Sequence, residues 1–85
     1  MNKGQILQEL EKVADKLDMQ IRYEKGNFNS GYCRVEEQKM LIIKKDLNLD
    51  QKISILCIIL NEFDLSDIYI LPKIRTILDN YNDQD

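Results

Sequence analysis

The segment that most constrains this chain runs from Ile53 to Asp64, ISILCIILNEFD, and shows no polar stripe until Asn61 and Glu62. A helix at a protein surface is apolar on one face only, so a segment that is apolar nearly all round must be covered on both sides. Within 85 residues, that makes it the central helix about which everything else packs. A chain of this length is expected to be one domain, residues 1–85. It buries roughly 60–65% of its unfolded surface, enough to fold alone with little stability in reserve.

Hydrophobic residues make up 44% and charged residues 32% of the chain, a balance that belongs to a soluble globular protein and not to a disordered tail. The apolar run is too short to span a membrane, and it is flanked by Lys44, Lys45 and Lys52 on one side and by Glu62 and Asp64 on the other. The N-terminal stretch MNKGQILQELEKVADKL carries acids inside its apolar pattern and lacks a small-residue cleavage site, so it does not read as a secretory signal. The expected location is the cytoplasm, away from membranes.

Histidine is absent, which removes the commonest general base and the commonest transition-metal ligand together. A Cys–His nucleophilic pair is impossible within the chain. The two cysteines, Cys33 and Cys57, make no disulfide framework and read as reduced structural thiols, Cys57 as a small hydrophobe inside the apolar helix. No catalytic residue, metal ligand set or cofactor is expected.

The net charge of −3 is unevenly spread. Residues 20–45 hold six bases (Arg22, Lys25, Arg34, Lys39, Lys44, Lys45) against three acids, whereas residues 46–85 hold three bases against eight acids. An acidic chain argues against nucleic-acid binding, which draws its affinity from clustered Lys and Arg.

The elements follow from periodicity. Ile6, Leu10, Val13 and Leu17 recur on one face and predict a helix over residues 3–17, opened by an Asn2–Gln5 capping box. Met19, Ile21 and Tyr23 alternate with polar residues as a strand does. KGNFNSG, residues 25–31, reads as a loop anchored on the core by Phe28, and no Gly-Lys-Ser/Thr follows to make it a phosphate-binding loop. Residues 32–35 and 40–44 flank a four-residue polar connection, which predicts a hairpin. Its second strand, MLII, is apolar on both faces and so belongs in the centre of the sheet.

Asn48 (with Gln51) or Asp50 caps the central helix. Ile53, Leu56, Cys57, Leu60 and Phe63 form one face of it and Ile55, Ile58 and Ile59 the other. Residues 65–71 read either as a short strand or as a turn of helix. Pro72 suits the first position of a last helix over residues 72–81. The polar tail, residues 82–85, is expected to fray.

The expected fold class is therefore α+β: an N-terminal helix, a three-stranded mainly antiparallel sheet, a central buried helix, a short segment and a C-terminal helix. The sheet covers one side of the central helix, and the last helix, through Ile74, Ile77 and Leu78, covers the other. If that helix does not reach, a second copy of the protein must, because a bare isoleucine face invites association.

The stretch VADKLDMQIRY resembles the opening helix and first strand of the IrrE/ImmA-type metallopeptidase-like domains, and GYCRVEEQKMLIIKKDLNLDQKISILCIILNEF resembles their hairpin and the helix bearing the zinc-binding HExxH. The resemblance covers roughly residues 13–65. In that family the two histidines hold zinc and the glutamate activates water. Here the motif falls on Asn61, Glu62, Phe63, Asp64 and Leu65; only Glu62 matches, and both ligand positions are lost. What the resemblance implies is a groove between the hairpin and the end of the central helix, lined by Tyr32, Arg34, Asn61 and Glu62. It would take an extended chain along a sheet edge without cutting it. Over most of its length, through RYEKGNFNSGYCRVEEQK and DLSDIYILPKIR, the chain also resembles a group of short bacterial proteins that carries no assigned activity.

Three readings of function follow. The first is a non-catalytic interaction module that binds another protein or a copy of itself, motivated by the surplus of isoleucine on the central helix. The second is a metal site at Glu62, Asp64 and Asp67, which without histidine would suit Mg²⁺ or Ca²⁺, against the plainer reading that these acids solvate a helix end. The third is nucleic-acid binding through Arg22, Lys25, Arg34 and Lys39 with Tyr23, Phe28 and Tyr32 for stacking, opposed by Glu24, Glu36 and Glu37 beside them.

Overall fold

In a computed structural model that describes residues 1–82, the chain enters α1 (Lys3–Lys16) through the expected capping box: Asn2 Oδ1 accepts the Gln5 backbone N–H at 2.8 Å, and Gln5 Oε1 accepts that of Asn2 at 2.9 Å. Asp18 takes the left-handed conformation (φ 58°) just past the helix, which ends it and turns the chain straight into β1 (Met19–Glu24). β2 (Gly31–Val35) and β3 (Gln38–Lys44) follow, then α2 (Leu49–Leu60) and α3 (Pro72–Asn82). The α+β architecture is as expected. Residues 83–85, most of the expected tail, lie outside the described residues; Asn82 closes α3.

The sheet is mixed, with the order β1-β3-β2. β3 occupies the centre, as its two apolar faces demand. It pairs antiparallel with β2, Tyr32 opposite Leu41, and parallel with β1, Ile21 opposite Leu41. The expectation of a mainly antiparallel sheet is corrected here. Residues 25–30 carry the chain from the end of β1 past an open slot to the start of β2, and the hairpin then folds β3 back into that slot. Alternation in a sequence reveals faces, not partners, so the parallel pair left no local mark. The hairpin connection is also tighter than expected, two residues and not four: Val35 pairs with Gln38, and Glu36 adopts φ 59°.

Leu41 and Ile43 of β3, with Met19, Ile21 and Tyr23 of β1 and Tyr32 of β2, face the helices. α1 lies against β1 and α2, and α3 closes over α2 and α1 with Ile74 and Leu78 fully buried. Phe28, expected on the core, folds back over Gly26, its ring 3.1 Å from where a Cβ would stand. The segment from Asn61 to Leu71 is neither strand nor helix but a series of turns, pinned by buried Leu65 and Ile70.

α2 begins at the Asn48–Gln51 capping box. Its side chains Ile53, Leu56, Cys57, Ile59 and Leu60 are buried. The expectation that both flanks are covered is met only in part. Ile55 is half-buried and Ile58 is 50% exposed: α3 packs on α2 but leaves this shoulder to solvent.

Candidate functional site

The bare shoulder of α2 stands beside β2, which is an edge strand. Between them lies a groove of ≈ 390 Å³, walled on one side by Ser30, Gly31 and Tyr32 and on the other by Ile55, Ile58, Ile59 and Glu62. The chain enters β2 here because Ser30 Oγ accepts the Lys44 backbone N–H at 2.8 Å, which locks the loop end to β3.

Tyr32 is held firmly. Its ring meets that of Phe63 edge-to-face, 5.2 Å between centroids at 75°, the arrangement that ring quadrupoles favour. Phe63 is in turn covered by Lys39, whose Nζ lies 5.6 Å from the ring centroid and donates to the Leu17 carbonyl oxygen at 2.9 Å. Glu62 follows the C-terminal end of α2 and is exposed at the rim.

Of the four residues expected to line a groove, the structure brings Tyr32 and Glu62 together and sends the other two elsewhere. Arg34 points to the same side of β2 as Tyr32 but stands further along the strand, exposed, outside the lining and without a salt bridge among the described residues. Asn61 turns the opposite way: its Nδ2 donates to the Leu78 carbonyl oxygen at 2.8 Å and ties α2 to α3. The apolar wall of Ile55, Ile58 and Ile59 was not assigned to the groove from sequence. Its signal was the isoleucine surplus, read there only as a face in need of cover.

α2 stops at Leu60, so the five positions that the peptidase resemblance assigns, Asn61–Leu65, lie in turns, and Leu65 is buried in the core. Asp64 caps the turn that follows: its Oδ1 accepts Ser66 N–H at 3.0 Å and Ser66 Oγ–H at 2.6 Å. Those hydrogen bonds hold its carboxyl below the ordinary range. Among the described residues no group of three His, Cys, Asp or Glu side chains could hold a metal ion, and no helix is long and apolar enough to cross a membrane. The basic segment is split by the strand alternation. Arg22 pairs with Glu24 at 2.9 Å on the open face, Lys39 is engaged at Phe63, and Arg34 lies on the opposite face from Arg22.

No family model matches the chain, and no curated protein and no solved structure matches it.

Proposed function

We propose that the chain is a non-catalytic protein-interaction module of the cytoplasm that receives an extended polypeptide segment along the outer edge of β2. One observation carries this reading: an unpaired edge strand and a half-exposed isoleucine, Ile58, border the same groove. An added strand would satisfy the outward-facing N–H and C=O groups of β2, which otherwise rely on water. Its alternate side chains would reach the apolar wall on α2, so main-chain pairing supplies affinity and the groove supplies selectivity. Descent from an inactive zinc-peptidase-like domain would put an extended peptide in the same place and differs only in ancestry.

Peptides selected from a displayed random library on the immobilised protein test the reading. Amide shifts in NMR spectra are expected to map to residues 31–35 and to the Ile58 flank, and Ile58→Glu is expected to weaken binding at least about tenfold. Binders that map to another face, or that ignore Ile58→Glu, would overturn it.

A further inference from the structure

We infer that the strand seated on this edge is β2 of a second copy of the chain, paired antiparallel about a twofold axis at Cys33; this deepens the interaction-module reading and rests on it. A twofold interface must be self-complementary, because each surface meets itself. β2 reads GYCRV. Only with Cys33 opposite the partner's Cys33 do all five of its residues pair, and that register sets Tyr32 opposite the partner's Arg34 and Gly31 opposite the partner's Val35.

Both pairs fit what the single chain leaves open. Arg34 has no salt bridge among the described residues and lies outside its own groove. Across the axis, the partner's Arg34 is delivered to the groove that Tyr32 and Glu62 line. There it meets an aromatic face and a carboxylate together, and the symmetry repeats the contact on the other side. On the opposite face of the sheet, nothing lies within 4 Å of the position where Gly31 would carry a Cβ, and Val35 is 53% exposed. The partner's Val35 fills that space. The shoulder at Ile58 gains apolar cover from the same approach. β2 holds neither Pro nor Lys, and its one charged residue is Arg34. The charge at Arg34 becomes a register pin instead of a deterrent. The product joins two three-stranded sheets into one continuous sheet.

Light scattering and sedimentation, from micromolar to millimolar chain, read the mass directly, and twice the monomer mass is expected. Diamide provides the register. Directly opposed antiparallel residues stand ~4.5–5.5 Å apart at Cα, within disulfide reach. The two Cys33 thiols should therefore join, their hydrogens passing to the N=N bond of diamide, and Cys33→Ser should abolish the covalent dimer. Arg34→Glu and Glu62→Arg singly should each weaken dimerisation at least about tenfold, and the double variant should recover most of it. A monomer at every concentration overturns the dimer, while the peptide selection above still decides the interaction-module reading. A dimer that tolerates Arg34→Glu, gives no Cys33 cross-link, or is not rescued in the double variant overturns this register.

Discussion

Asn61 donates its side-chain amide to the Leu78 carbonyl oxygen at 2.8 Å and so fastens the end of α2 to α3. The bond is partly buried and joins two helices that both contribute to the apolar core, α2 through Leu60 and α3 through Ile74 and Leu78. Asn61→Ala should cost ~1 kcal/mol of stability in urea unfolding, the ordinary net worth of such a bond. Asn61→Asp should cost more, because it places a carboxylate against a carbonyl oxygen and near the negative end of the α2 dipole. Neither change should alter peptide binding at β2, since the side chain faces away from the groove; an effect on binding larger than the effect on stability would contradict this placement.

Stability should fall on the alkaline side in two stages. Burial pushes the Cys57 thiol up to about 12. Burial, and the hydrogen bond to Glu11 that comes next, push the Tyr23 phenol well above its ordinary value. In both cases the folded state holds its proton where the unfolded chain has lost it. Each contribution is thus complete below the unfolded pKa, near 8.5 for cysteine and 10 for tyrosine, and is lost as pH rises toward the folded one. The free energy of unfolding should be flat from pH 7 to about 8, then decline, with a steeper decline beyond pH 10. Cys57→Ala should remove the first decline and Tyr23→Phe the second, each measured by urea titration across the pH series.

Much of this fold was readable before any coordinates because its signals are local. The capping boxes at Asn2–Gln5 and Asn48–Gln51 each need only four consecutive residues, and MLII announces a central strand by being apolar on both faces. The parallel pairing of β1 with β3 was not readable, because Met19–Glu24 carries no mark of its partner. The groove was half readable for the same reason. Tyr32 and Glu62 approach through strand direction and helix end, both implied by the pattern. The removal of Asn61 to Leu78 depends on where α3 lands, and the exclusion of Arg34 depends on how far along β2 the shoulder of α2 reaches.

The uneven cover of α2 sets neighbouring apolar side chains apart. Leu56 is fully buried and Ile58 is 50% exposed, two residues apart on one helix. Leu56→Ala should cost ~2–5 kcal/mol through lost apolar burial and a residual cavity. Ile58→Ala should change monomer stability by no more than ~0.5 kcal/mol. Thermal unfolding at low micromolar concentration measures both. A large loss at Ile58 there would mean that the shoulder is covered within one chain, and the binding surface would have to be sought elsewhere.

Phe63 organises the groove without lining it, because its ring supports the edge of Tyr32 and carries Lys39 on its other contact. An aromatic pair of this geometry contributes ~0.5–1.5 kcal/mol beyond simple burial. A double-mutant cycle with Tyr32→Leu and Phe63→Leu should return a coupling of that size in unfolding free energy. Phe63→Leu should also weaken binding at β2, although Phe63 does not itself line the groove, because an unsupported Tyr32 samples more rotamers and must be ordered again on binding. Lys39→Met keeps the stem over the ring and removes the charge, so it should leave Tyr32 fixed and binding unchanged while forfeiting the bond to Leu17. A coupling near zero between Tyr32 and Phe63, with binding intact in Phe63→Leu, would show that the wall of the groove is held by β2 alone.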